Sequence, residues 1–393
     1  MKTANLFLAV ILLVTAGCGG NKQSTDDFVT IDVRKNYPKK ELFLQDFADV
    51  EYVPLESTDD EFLNEGWVRF VSDDFIFVRN RYEREAILIF DRHIGKALKK
   101  ISRQGQGPEE YIMAASIVFD KDRKELFVMD VPSARRTLVY DLEGQFKRSF
   151  KHHEGVMYDN LYNYDQDYLF GGTDGSTDYA GQLYHIISKE DGSVVRQIDI
   201  PIEKKANLPL ITPGGHLMSL HSPKELFPFK DEFILTDFST DTVYSYSPDQ
   251  GLKPFIVRTP PIHSMSYPDE VYLQPQFISD RYYFFRTEKM DVSSYTTLES
   301  LLIRLPEIRL VYDTQDKAIY EYKLYNADIT NKTEVEEYST ITRNGEFVFI
   351  QSIDAYLLVE YYNKGELQGR LKEIAATLDV EDNPVIMLVK HRK

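Results

Sequence analysis

The residues best suited to chemistry are few and scattered. His152 and His153 are adjacent, and His216 and His221 follow Pro213-Gly214-Gly215 in what reads as a long loop. Neutral imidazole is a good metal ligand. Side chains adjacent in a strand, however, point to opposite faces, although in a loop His152 and His153 could turn together. Neither pair has a ligand spacing such as His-Glu-x-x-His, so solvated loop histidines are the preferred reading. Carboxylates come in pairs (Asp59-Asp60, Asp73-Asp74, Glu109-Glu110). Glycoside hydrolysis needs two of them held about 5 to 9.5 Å apart across a cleft, which spacing along a chain does not fix. A Ser-His-Asp triad has no anchor, because no Gly-x-Ser-x-Gly occurs. Gly105-Gln106-Gly107-Pro108 lacks the third glycine and the following helix of a dinucleotide fingerprint; its glycines and proline suit a turn.

The single cysteine carries a sharper signal. Lys2 gives a minimal positive start, Leu6 to Val14 is apolar, and Thr15-Ala16-Gly17 is a small-residue cleavage site directly before Cys18. The apolar run is shorter than the roughly 20 residues a spanning helix needs. The arrangement is that of a bacterial lipobox, with Thr15 where Leu is usual. Residues 1–17 are therefore expected to be a signal peptide, and 18–30 a lipidated cysteine and polar tether. Acylation of Cys18 would hold the chain at a membrane and would leave no thiol for disulfides, metal ligation or nucleophilic attack. A formal charge of −17 and a pI near 5.0 argue against nucleic acid as a partner, since phosphate demands a basic face.

The elements that must position any site are strands. Tyr (26) and Phe (24) abound against one Trp, with frequent Val and Ile. A unit recurs six times: an acidic or Gly turn, an aromatic–aliphatic strand, a polar loop, then further strands. Its copies include Asp73 to Val78 with Ile87 to Asp91, Lys124 to Asp130 with Leu138 to Asp141, and Asp167 to Phe170 with Tyr184 to Ser188. They continue with Asp231 to Leu235, Asp280 to Phe285 and Gly345 to Ile350. Four strands per unit, at spacings of roughly 40 to 65 residues, are propeller blades. Residues 31–393 are thus expected to be an all-β, six-bladed β-propeller. The sixth unit is interrupted by one amphipathic helix carrying Leu367, Leu371, Ile374, Ala375 and Leu378. It ends in a strand from Val385 to Val389 and is one strand short. The N-terminal segment Val50 to Leu55 is expected to supply that strand and pin the ring shut.

Arg103-Gln104-Gly105-Gln106-Gly107-Pro108-Glu109-Glu110-Tyr111 resembles the Gly-x-Gly-Pro-x-x-[Tyr/Phe] signature of six-bladed β-propeller lipoproteins of Gram-negative bacteria, related in architecture to NHL-repeat propellers. The resemblance implies an extracytoplasmic propeller anchored to the outer membrane, at its periplasmic or surface side. It implies no activity, because fold does not fix function.

In a propeller, the loops between second and third strands and those linking blades share one face around the channel, where ligands bind by default. The residues expected there are Arg79, Arg81, Arg103, Glu109, Glu110, Tyr111, Arg135, His152, His153, Asp174, His216, His221 and Asp237. The leading expectation is a non-catalytic binding or scaffold protein that holds a peptide, glycan or protein partner and has no resident cofactor. The alternative is a metal-assisted, lactonase-like hydrolase or lyase with a divalent cation such as calcium in the channel.

Overall fold

A computed structural model describes residues 28–58, 62, 66–80, 85–130, 135–154, 156–173, 184–203, 208–211, 217–220, 225–237, 239–266, 269–289, 307–335 and 347–392. Cys18 lies outside them. The described chain opens with β1 (Val29–Asp32), β2 (Lys39–Phe43), the single turn α1 (Leu44–Phe47) and β3 (Ala48–Pro54). Three four-stranded sheets follow, each of consecutive antiparallel strands. Blade 1 is β4 (Trp67–Val71), β5 (Phe75–Arg79), β6 (Ile87–Asp91) and β7 (Ala97–Ile101). Blade 2 is β8 (Ala114–Asp120), β9 (Glu125–Asp130), β10 (Arg136–Asp141) and β11 (Phe146–Lys151). Blade 3 is β12 (Tyr158–Asn163), β13 (Tyr168–Thr173), β14 (Tyr184–Ser188) and β15 (Val194–Ile198), and a hairpin of β16 (Leu208–Ile211) and β17 (Leu217–Leu220) comes after it.

Blade 4 contains β18 (Glu225–Phe229), β19 (Glu232–Thr236), β20 (Thr242–Ser247) and β21 (Gly251–Thr259). Blade 5 contains β22 (Val271–Ile278), β23 (Tyr282–Lys289), β24 (Glu307–Asp313) and β25 (Ala318–Tyr325). Blade 6 has β26 (Phe347–Ile353) and β27 (Val385–His391), separated by two helices, α2 (Ala355–Asn363) and α3 (Gly369–Ala375). The strand β26, which runs in the sense of the second strands, touches both β22 and β4, so blade 6 joins blade 5 to blade 1 and closes the ring. The molecule is a six-bladed β-propeller.

The closure expected from the sequence is present: β3 pairs antiparallel with β27, Val50 opposite Val389 and Val53 opposite Ile386. Asn383, 1% exposed, reinforces it by donating through Nδ2 to the carbonyls of Glu56 and Phe62. Two further contributions were not foreseen. β1 adds a fifth, parallel strand to blade 4 beside β21, and β2 does the same for blade 5 beside β25. Residues 29 to 54 therefore form a belt that covers the outer edges of three successive blades. β1 starts inside the stretch assigned to the tether. The expected single helix is two, because the chain breaks at Lys364-Gly365, where Gly365 takes φ 72°. Leu371, Ile374 and Ala375 of α3 are buried as their spacing predicts.

Local chemistry repeats with the blades. Asp91, Asp141 and Asp313 end third strands, and each carboxylate accepts turn N–H groups, from His93 and Ile94, Glu143 and Gln145, and Gln315 and Asp316 respectively. In the third-to-fourth turns of blades 1 to 4, Gly95, Gly144, Gly192 and Gly251 hold φ of 68° to 75°, the left-handed region that glycine occupies without steric cost. Inner strands of blades 1, 2, 3 and 5 each carry a one-residue bulge, at Arg69, Ala115, Asp159 and Gln276. Aromatic rings fill the spaces between blades: Phe77 on Phe119, Phe170 on Phe233 and Phe277 on Phe349, with centroids 5.3, 4.8 and 4.8 Å apart.

Candidate functional site

The antiparallel order of each blade puts two kinds of connection at opposite ends of the ring. At one end lie the turns between first and second and between third and fourth strands. These run from two residues (230–231) to five (92–96). At the other end lie the second-to-third loops and the interblade connections, which run from five residues (131–135) to the 31 of 354–384. The β16–β17 hairpin and both C-terminal helices belong to this long-loop face. Loops are where a rigid scaffold carries recognition, so this face is the candidate site.

The Gly105–Tyr111 segment is the clasp between blades 1 and 2. Tyr111 is fully buried, its hydroxyl donating to the carbonyls of Glu85 and Ile101, and burial pushes its pKa well above the usual phenol range. The Glu110 carboxylate accepts the Gly107 N–H, and a Cβ on Gly105 would lie 1.9 Å from its Oε2. The Arg136 guanidinium donates to the carbonyls of Gly107, Pro108 and Glu110 and pairs with buried Asp130. Tyr140 donates to the Glu109 carbonyl, and Arg103 Nε donates to the Gly144 carbonyl. Of the residues expected at a ligand, Tyr111 thus sits inside the interblade core, Arg103 is half-buried, and Glu109 is exposed.

Arg79 is buried and forms a two-pronged ion pair with Glu85, at 2.6 and 2.8 Å, beside the Trp67 ring. Asp237 is buried too and shapes its own loop: its Oδ1 accepts the Ser239 N–H and its carbonyl the Thr240 N–H. Arg135, exposed and with φ 43°, accepts the His152 N–H on its carbonyl. Arg81, Asp174, His216 and His221 lie outside the described residues.

The junction of blades 2 and 3 gathers the densest set of chemically capable side chains. His152 Nε2 is 3.0 Å from Thr137 Oγ1, while its buried Nδ1 has no hydrogen-bond partner. The His152 ring meets the edge of Tyr158 at 5.1 Å, and the Tyr158 hydroxyl is 2.8 Å from His185 Nδ1. His153 approaches His185 from the other side, with centroids 6.5 Å apart. Gly171, opposite His185, makes room for this: a Cβ there would be 2.8 Å from the Tyr158 ring. Burial, helped by the positive charge of Arg135, pushes the His152 pKa down to about 4, so the ring is neutral near pH 7. The adjacent histidines leave β11 in a loop and not in a strand, and each meets one member of the Tyr158–His185 pair. Sequence reasoning missed His185, Tyr158 and Thr137; the one available signal was a polar residue at a strand position flanked by buried Tyr184 and Ile186. Among the described residues, no group of three or more His, Cys, Asp or Glu side chains is arranged to hold a metal ion.

Ring, belt and long-loop face define the class: a six-bladed propeller with one elaborated face. The chain belongs to the DUF4934 family, a domain of unknown function, whose model matches residues 28–390. Among solved structures it is similar to a Bacteroides fragilis protein described as exported, with TM-score 0.61 and 12% identity over 94% of this chain and all of that one. A member of the DUF4221 family from Bacteroides vulgatus aligns with TM-score 0.45 and 12% identity, over 88% of this chain and 97% of that one. Virginiamycin B lyase from Staphylococcus aureus aligns with TM-score 0.38 and 10% identity, over 88% and 100%. No curated protein matches the sequence.

Proposed function

We propose that this chain is an exported lipoprotein, anchored through Cys18 to the outer membrane, that uses the long-loop face of its propeller to hold a peptide, glycan or protein partner without transforming it. One observation carries the reading: all long connections gather on one face, while the other is closed by turns of at most five residues. The polar groups that hold this face together are largely engaged with one another, as in Arg79–Glu85 and Arg136–Asp130. That arrangement suits a rigid recognition surface, since bound partners lose less entropy on a preorganised one. Export is supported by the leader pattern before Cys18 and by the description of the Bacteroides fragilis protein. The tether reaches the fold at Val29, on the outer rim of blade 4. The 11 positions from Cys18 to Val29 span at most about 40 Å, so an acylated Cys18 would keep the ring close to the membrane.

Two measurements test this. Intact-mass analysis of the mature chain is expected to show an acylated Cys18, lost with Cys18→Ser together with membrane association. Glycan and peptide arrays probed with the same protein are expected to give a ligand that is recovered unchanged after long incubation. Consumption of that ligand, with stoichiometric metal in protein purified without chelators, would instead favour the hydrolase or lyase alternative.

A further inference from the structure

Among the described residues, Arg258, next to last in β21 on the long-loop face, is a buried arginine with little to bond to. It is 3% exposed. Its backbone N–H donates to the Asp241 carbonyl, which ties the strand to the second-to-third loop of blade 4. Its guanidinium is poorly satisfied. Nε and Nη1 are buried without any acceptor, and Nη2 meets only the Met265 thioether, 3.3 Å away. A thioether is a weak acceptor. Leaving charged donors buried and unbonded costs more than leaving neutral ones so, and most buried arginines escape it by pairing. Burial pushes the Arg258 pKa down, against the pull of Asp241, Tyr272 and Glu270.

The neighbours define what could complete it. Asp241 Oδ1 is engaged by the Ile262 N–H at 2.6 Å, and Glu270 Oε2 by the Tyr272 hydroxyl at 3.2 Å. Neither carboxylate reaches the guanidinium within ion-pair distance. Met265, which lies against the guanidinium, is half-buried, in a connection whose His263, Ser264 and Ser266 are exposed. Methionine is unbranched and readily changes rotamer, so its side chain can swing aside without moving the blade.

We infer that Arg258 is the anchor of a carboxylate-binding subsite covered by Met265, in which a ligand carboxylate displaces the thioether and takes paired hydrogen bonds from the guanidinium. This deepens, and rests on, the reading of the long-loop face as a binding surface. A planar carboxylate matches the guanidinium fork. A phosphate dianion fits less well, because Asp241 and Glu270 would repel its second charge and the chain already carries −17.

The test uses the mature protein with methyl-labelled methionines, the Met265 signal being assigned through Met265→Leu. Titration with sodium glucuronate is expected to move the Met265 methyl resonance saturably. Glucose, and sodium chloride at matched ionic strength, should leave it in place. Arg258→Gln should weaken the glucuronate response about tenfold or more, the usual worth of a charge-assisted hydrogen bond. Arg258→Leu guards against misfolding: because, unlike Gln, it leaves no polar group to bury, its unfolding midpoint should not fall below that of Arg258→Gln. A Met265 signal indifferent to glucuronate, a response equal in Arg258→Gln, or a stronger response to phosphate would each overturn the carboxylate site. None of these would touch the binding-face reading, which fails separately if array ligands bind elsewhere.

Discussion

At the scale of single residues, the described part of the long-loop face divides into groups that hold blades together and groups that are spare. Glu110 belongs to the first kind. Gly105→Ala should destabilise the fold because its Cβ meets the Glu110 carboxylate, whereas in a Glu110→Ala background it should cost much less. Urea midpoints of the four chains would show that coupling; strictly additive losses would refute the clasp. Lys189 does the same at the short-turn end. It is 1% exposed and donates to Asp120 Oδ2 at 2.6 Å and to the Asp165 carbonyl at 2.7 Å, joining blade 3 to blade 2. Lys189→Met leaves Asp120 charged and buried, so a loss of about 3–5 kcal/mol is expected, with partial recovery on adding Asp120→Asn. His152 belongs with the spare groups, and its linkage has a definite sign. Its folded pKa, about 4, lies below the ordinary 6.5, so the unfolded chain binds more protons between these values. Stability from neutral His152 is complete above about pH 6.5 and is lost as pH falls towards 4. His152→Gln should therefore show a smaller drop in melting temperature from pH 7 to pH 5 than the wild type. Little of this was legible beforehand. Glu109, Arg135 and His153 could be assigned to a face from the repeat, but burial of Tyr111, Arg79 and Asp237 depends on how loops fold back on their own and neighbouring blades, which no local pattern records.

At the scale of elements, the sequence was most readable where one blade governs its own hydrogen bonds. The strand-ending Asp91 and Asp141 and the alternating Phe75-Ile76-Phe77-Val78 reflect contacts within a hairpin, so they leave a local pattern. The closing strand was also legible, since Tyr52-Val53 alternate against a blade visibly short of a strand. The two outer strands β1 and β2 were not. Blades 4 and 5 already have four strands each, so nothing in their own sequences calls for a fifth. The bulges at Arg69, Ala115, Asp159 and Gln276 leave no trace in spacing either, because a one-residue insertion in a short strand looks like ordinary variation in length. The belt makes a graded prediction. A chain starting at Arg34 loses β1 and with it Ile31, which is 0% exposed, and should fold with a stability loss of about 2–5 kcal/mol. A chain starting at Leu55 also loses β3 and should not unfold cooperatively, because blade 6 then lacks its outer strand. Equal denaturation curves for the two would show that closure does not depend on β3.

At the scale of the whole molecule, the two ends of the ring are built for different tasks. The short-turn end is laced by ion pairs between neighbouring blades, including Asp73–Lys121, Arg123–Asp167 and Lys230–Asp280. These pairs are largely exposed and individually weak. The other end has the hairpin, the helices, the histidine–tyrosine junction and Arg258. If the chain is tethered through Cys18, as proposed, the link reaches the fold at Val29 on the rim of blade 4 and leaves that second end available. The most direct test is to find an array ligand for the wild-type mature chain and measure its affinity for two variants. One is Arg135→Glu with His153→Asp on the long-loop face, and the other is Lys124→Glu with Lys317→Glu among the short turns. The account predicts that the first pair abolishes or strongly weakens binding and that the second leaves it unchanged. Loss of binding in the short-turn variant alone would contradict it.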